Sequence, residues 1–270
     1  MHPTDPRFAL NHMVAPRLDP AAFLALARDV GVEAVEIRND LAGNAILDGT
    51  PATRMRALAE TAGVRILSIN ALQRFEDWRP ERAAEATTLA DYAAAAGAEA
   101  LVLVPSNDGS TPHRLTDALE ALRAILAPRG LVGLIEPLGF ATSALRRKSD
   151  AVAAIDAIGG QDAFRLVHDT FHHHLAGEAT LYPASTGLVH ISGVSDPALA
   201  TAAMRDDDRG LVTADDRLGN IPQIQALLRG GYTGFLSFEP FAPAVHRLAD
   251  PAEALRRSMD LIREGVSVAA

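Results

Sequence analysis

Eight short runs rich in Val, Ile and Leu alternate with longer segments of helical period along the 270 residues. This alternation is the strongest constraint on the fold. The runs are Phe8–Val14, Ala34–Arg38, Val64–Asn70, Ala100–Pro105, Leu131–Pro137, Phe164–Thr170, Gly187–Ser192 and Gly234–Pro240. Helices are predicted over Pro20–Val30, Pro51–Ala62, Pro80–Ala96, Pro112–Ala127, Asp150–Ile158, Ile221–Arg229 and Pro251–Glu264. The connection Phe171–Thr186 gives the weakest helical signal. Asp19-Pro20, Thr50-Pro51 and Asp250-Pro251 read as capped helix starts, and Gly31, Gly63, Gly97 and Gly230 as stops. Eight strands each followed by a helix predict an α/β protein, a single (β/α)8 TIM barrel over residues 1–270. The rival is a doubly wound open sheet. No Ser/Gly-rich linker divides the chain.

Composition removes several kinds of chemistry. With no cysteine, disulfides, thiolate metal sites, iron–sulfur ligation and a cysteine nucleophile are excluded. The one lysine, Lys148, lies in the polar run Arg146-Arg147-Lys148-Ser149-Asp150, which reads as a solvated loop. A Schiff-base mechanism is not expected there. A formal charge of −9 disfavours binding to a nucleic-acid backbone. No apolar run reaches the ~18 residues of a membrane span, and the first residues lack a signal-peptide pattern. A cytoplasmic protein acting on a small molecule is the expectation, and a homo-oligomer built through helix faces is compatible with it.

In a barrel, functional groups project from the C-terminal ends of the strands. Four consecutive runs end there on Glu136, Asp169, His190 and Glu239. Three carboxylates converging on one mouth repel each other and are costly to bury unless paired or bound to metal. A divalent cation resolves that repulsion, and oxygen-rich ligands with one imidazole suit Mn, Mg, Co or Zn. The bland alternative has these acids capping helices or pairing with arginines.

The segments Ser68–Leu72, Ile135-Glu136-Pro137, Val167–His172, Val189-His190-Ile191, Asp215-Asp216-Arg217 and Ser237-Phe238-Glu239 resemble the xylose-isomerase-like TIM-barrel superfamily. Within it, the chain is most similar to the 2-keto-myo-inositol (inosose) isomerase branch. The likeness runs from Asn11 to the last helix, and Asp169–His174 is among its most specific parts. It implies one divalent metal on Glu136, Asp169, His190 and Glu239. It further implies substrate contacts from His172 and Arg217, with Asn70 and Glu36 around the same mouth. The implied reaction is isomerisation of a polyhydroxy ketone through a cis-enediolate. Glu136 and Glu239, on strands three apart, are the paired acid and base. Two departures stand out. Ser192-Gly193 follow the strand-7 histidine where some relatives carry acids, and Thr142 stands where sugar 3-epimerases carry another acid.

Other residues have two readings. Of His172, His173 and His174, only His172 is expected to point inward, because successive helical side chains diverge by ~100°. His168 should face the helix layer. Glu36 and Arg38, two apart, share one side of their strand. Phe75 and Trp78 form either an exposed lid over a sugar face or ordinary loop packing. The competing activities are a dehydratase of the inosose or 3-dehydroshikimate type, a sugar epimerase on the same site, and an abasic-DNA endonuclease.

Overall fold

The computed structural model describes residues 5–41, 49–110 and 114–267. Eight parallel strands close into a barrel in sequence order. They are β1 (Arg7–Asn11), β2 (Ala34–Arg38), β3 (Arg65–Gln73), β4 (Ala100–Val104), β5 (Val132–Ile135), β6 (Phe164–Asp169), β7 (Thr186–Ile191) and β8 (Phe235–Phe238). The ring shuts where β1 pairs with β8, from Arg7 opposite Phe235 to Leu10 opposite Phe238. The helices are α1 (Pro20–Val30), α2 (Ala52–Ala62), α3 (Pro80–Ala96), α4 (Leu115–Leu126), α5 (Lys148–Ala157), α6 (Thr170–Ala176), α7 (Asn220–Arg229) and α8 (Pro251–Ser267). A doubly wound sheet is excluded by the closure.

Strand alternation sorts the apolar residues into two layers. Phe8, Leu10, Leu101, Leu103, Leu166 and Val189 belong to the layer that faces the helices. Ala9, Ala34, Ala100, Val102, Val167 and Phe235 form the barrel's own core. Helix α8 adds Leu255, Met259, Ile262 and Val266 to the outer layer, each almost fully buried. Burial of each such large apolar side chain contributes about 1.5–3 kcal/mol.

Helix ends follow simple chemistry. The Asp19 carboxylate accepts the Ala22 N–H at 2.8 Å, and Gly31 closes α1 in the left-handed conformation, φ 78°. Helix α4 opens at Leu115, and Pro112, predicted as its start, lies outside the described residues. The first strand stops at Asn11 rather than Val14, because the Asn11 side chain accepts the Met13 N–H and starts a 3-10 turn over His12–Val14. Helix α6 is a short element of 7 residues, in line with the weak signal there.

One reading is corrected and one open alternative is resolved. Lys148 is not solvated: it is 4% exposed at the start of α5, with Nζ 2.8 Å from His168 Nδ1. The polar run folds back because Leu145 is buried beside it and Glu178 accepts the N–H groups of Lys148 and Ser149. Burial pushes the Lys148 ammonium down to about 8. The alternative resolved is that of the mouth loop after β3. Phe75 is fully buried and Trp78 packs against the outer layer, so this pair is no exposed lid. His168 does face the helix layer, donating from Nε2 to Gln223 Oε1 at 2.8 Å.

Candidate metal centre

The C-terminal ends of the strands converge on a buried polar centre. Glu136 directly follows β5, Asp169 ends β6, His190 lies in β7 and Glu239 directly follows β8. One donor atom from each lies within 4.8 Å of the others, the only such group of metal-ligand side chains among the described residues. Two ligands on opposite sides of one ion bonded at ~2.0–2.2 Å stand about 4 Å apart, so the donor set fits a single cation with little adjustment.

His190 organises this set. Its Nδ1 lies 3.0 Å from Glu136, 3.2 Å from Glu239 and 4.0 Å from Asp169. Its Nε2 lies 3.2 Å from Glu36 Oε2. Glu36 is fully buried and accepts from the hydroxyls of Ser68 and Ser237 at 2.7 and 2.6 Å. The Asn11 amide donates to Glu36 and Glu239, at 3.4 and 3.1 Å. A proton on Nε2 directed at Glu36 leaves Nδ1 as the lone-pair donor toward the cluster, a carboxylate–histidine arrangement common behind metals.

Two buried guanidinium groups flank the acids. Arg38 Nη1 donates to Glu239 Oε1 at 2.7 Å, while Asp40 holds its Nε and Nη2. Arg209 Nη2 donates to Asp169 Oδ2 at 2.6 Å and Glu239 Oε2 at 2.9 Å. Phe241 lies against both guanidinium planes, 5.2 and 4.5 Å from ring centre to carbon. Formal charge is therefore unequal. Among the buried groups, Glu36, Glu136, Asp169 and Glu239 bring four carboxylates against the two arginines, whose other partners, Asp40 and Asp206, are partly exposed. A neutral His190 leaves these buried groups with two uncompensated negative charges, which a divalent cation would balance.

The same imbalance sets the pKa directions. Burial disfavours the His190 imidazolium, but Glu239, Glu36 and Glu136 outweigh it and hold the group well above its ordinary value. Glu136 is raised by burial and by the nearby Glu239 and Asp169 charges, although His190 opposes this. Burial also penalises the Glu239 anion, yet His190, Arg209 and Arg38 keep it below the usual carboxylate range. Protonated His190 must lose its Nδ1 proton to bind metal. Calorimetric titration of the protein with Zn²⁺ or Mn²⁺ near pH 7 is therefore expected to release close to one proton per site. The proton shows as a heat that depends on the buffer's ionisation enthalpy; a buffer-independent heat would show that His190 is already neutral in the metal-free protein.

The remaining sequence-selected residues divide. Asn70 reaches the centre's edge, its amide 3.5 Å from Glu239 Oε1. His172 lies beside it at the start of α6, where its backbone N–H donates to Asp169 Oδ1 at 2.9 Å. The His172 ring is buried edge-on to Phe140, 5.2 Å between centres, and its Nδ1 has no partner. Arg217 stands apart from the centre. Its guanidinium donates to the carbonyls of Asp196 and Leu199 and braces the long connection between β7 and α7. Arg209, in that same connection, is the arginine that reaches the acids. Sequence reading missed it because Asp206-Asp207-Asp208-Arg209 looks like a solvated charge cluster. The approach of this loop to the barrel is fixed by the reciprocal hydrogen bonds of Gly193 and Gly210, 2.8 and 2.7 Å.

Position 139 controls how closely α6 approaches. A Cβ on Gly139 would overlap the His172 carbonyl oxygen and stand 2.7 Å from Leu175 Cβ. Backbone cannot yield there cheaply. Gly139→Ala is expected to destabilise by about 2–3 kcal/mol, lowering Tm by about 5–10 °C in a thermal melt. An unchanged Tm would show that α6 can shift freely.

On comparison with known proteins, the family described as xylose isomerase-like TIM barrel matches residues 24–265. A xylose isomerase domain containing protein from Salmonella typhimurium LT2 is 34% identical, with TM-score 0.90, over 97% of this chain and 99% of that one. An IolI protein with a bound zinc atom is 19% identical, with TM-score 0.82, over 97% and 98% of the two chains. An L-ribulose 3-epimerase is 17% identical, with TM-score 0.74, over 98% and 95%. No curated protein sequence matches significantly.

Proposed function

The chain belongs to the xylose isomerase-like TIM-barrel family, and we propose that it is a divalent-metal-dependent isomerase of a small polyhydroxy ketone, of the 2-keto-myo-inositol type. The observation that carries this reading is the buried Glu136–Asp169–His190–Glu239 set, whose donor atoms lie within 4.8 Å of one another. These four residues would hold the metal, Mn, Mg, Co or Zn by ligand type. The zinc of the IolI protein supports the same reading. When bound, a divalent ion supplies Lewis-acid polarisation of the ketone and so acidifies the adjacent C–H.

The protein's own groups supply the rest. Glu136 and Glu239 come from strands three apart and flank the space between them. His190, Arg209 and Arg38 favour the Glu239 anion, whereas burial and the Glu239 and Asp169 charges make Glu136 the more readily protonated carboxyl. Glu136 is thereby suited to take the α-proton and return it to the neighbouring carbon. Arg209 can donate to an oxygen that gains negative charge during enolisation. The partnerless Nδ1 of His172 is available to a substrate hydroxyl. Glu36 and Asn11 act behind these groups by orienting His190 and Glu239.

Proton NMR of 2-keto-myo-inositol in D₂O tests the proposal, with Mn²⁺-loaded and EDTA-treated protein compared. Metal-dependent loss of an α-proton signal with appearance of a second ketone is the expected result. No exchange by metal-loaded protein would overturn it, and growth of enone absorbance instead would assign the site to a dehydratase. A single ligand histidine and the −9 formal charge weigh against abasic-DNA cleavage.

A further inference from the structure

Beside the buried centre lies an open groove of ≈800 Å³ between the loops that follow β4, β5 and β7. None of the four metal-ligand candidates lines it. The partition between groove and centre is thin. Phe140 lines the groove and meets the His172 ring, and Asp206 lines it while accepting from Arg209 Nη1 at 3.1 Å. The volume is in the upper part of the about 300–1,000 Å³ range that houses drug-sized ligands.

Its lining states what it can take. Phe140, Leu175 and Met204 offer an apolar face. Asn107 accepts the Thr142 hydroxyl at 2.6 Å, which leaves the Asn107 amide free to donate. Formal charges cancel, with Arg146 and Arg205 set against Asp206 and Asp207. Both arginines are already engaged with backbone: Arg146 with the carbonyls of Gly139 and Leu175, at 2.9 and 3.0 Å, and Arg205 with those of Ala202 and Met204, at 3.0 and 2.7 Å. A phosphate finds a balanced wall that includes two carboxylates rather than a cationic anchor. A sugar ring finds both an apolar platform and neutral hydrogen-bonding groups.

We propose that this groove is a subsite for an uncharged sugar ring attached to the reacting ketone, so that the preferred substrate is a glycosylated keto-polyol rather than the free ring or a phosphate ester. The inference rests on reading the centre as a ketone isomerase. The test compares Zn²⁺-loaded wild type with Ala141→Trp, which fills the groove from an exposed position. Substrates are 2-keto-myo-inositol and its derivative carrying a glucosyl group on a hydroxyl remote from the ketone. The expected kcat/KM for α-proton exchange is at least 10-fold higher for the glucosylated ketone in wild type. Ala141→Trp abolishes that advantage and leaves the free ring within two-fold. Equal values for the two ketones, or an advantage that survives the tryptophan, overturn the subsite and leave the isomerase reading standing.

A separate binding measurement covers the case in which neither ketone reacts and the isomerase reading itself fails. Saturation-transfer NMR with maltose, an unreactive two-ring probe, is expected to show contact with wild type that Ala141→Trp removes. Absence of transfer to wild type overturns the subsite independently of turnover.

Discussion

Glu136→Gln is expected to lower α-proton exchange by about 10²–10⁴-fold at saturating metal, without lowering the stability of the metal-free protein. The two halves of this expectation have one origin. The Glu136 carboxyl is buried, and the Glu239 and Asp169 charges stand near it, so its anion is penalised relative to the neutral form. Glutamine imitates that neutral form in size and shape. It relieves repulsion, and Tm without metal should be equal or slightly higher. What glutamine cannot do is accept a proton. Deuterium exchange measured alongside metal content by elemental analysis separates chemistry from loading. A variant that retains its metal and exchanges at near the wild-type rate would remove Glu136 from the proton-transfer role.

The second large effect is expected at Arg209. Arg209→Met preserves most of the side-chain volume and removes a buried cation that touches Asp169 and Glu239. Leaving buried carboxylates uncompensated costs about 3–5 kcal/mol, and the metal-free variant should melt about 10 °C lower. A divalent cation held by Asp169 and Glu239 would offset the same carboxylates, so metal should restore most of the loss. The variant should also bind Zn²⁺ more tightly, because no guanidinium competes for those oxygens. Turnover should fall nonetheless, by about 10²-fold or more, as expected for loss of a donor to developing negative charge. Tighter metal with slower turnover is a signature that general unfolding does not give. An unchanged Tm without metal would show that Arg209 contributes no net compensation.

The barrel and its acidic centre were legible for the same reason. Each of Glu136, Asp169, His190 and Glu239 closes a buried apolar run, and strand ends in a barrel share one mouth. Strand phase also placed Glu36 and Arg38 on one side, where both reach the centre. The same phase could have added Ser68 and Ser237, inward hydroxyls on β3 and β8 that hold Glu36. A register shift between β2 and β3 at Val35/Glu36 obscures the former. Arg209 lay beyond reach because its loop has no periodicity, and its position depends on a backbone contact with Gly193 distant in sequence. Lys148 was misplaced because a string of polar residues says nothing about the Glu178 carboxylate that folds it inward. Phe75 and Trp78 follow β3, and the sequence could not decide whether they packed inward or outward.

The burial of Lys148 has a practical corollary. It is the chain's one lysine and is almost wholly shielded between α5 and β6. Amine-acylating reagents therefore have no accessible lysine on the folded protein, and coupling through lysine would capture only molecules that have opened. Once exposed, the ammonium regains the ordinary basicity that burial had lowered. The acylation rate of this single position consequently counts opening events in the region that carries Asp169 and His172, and the protein contains its own single-site reporter of local unfolding.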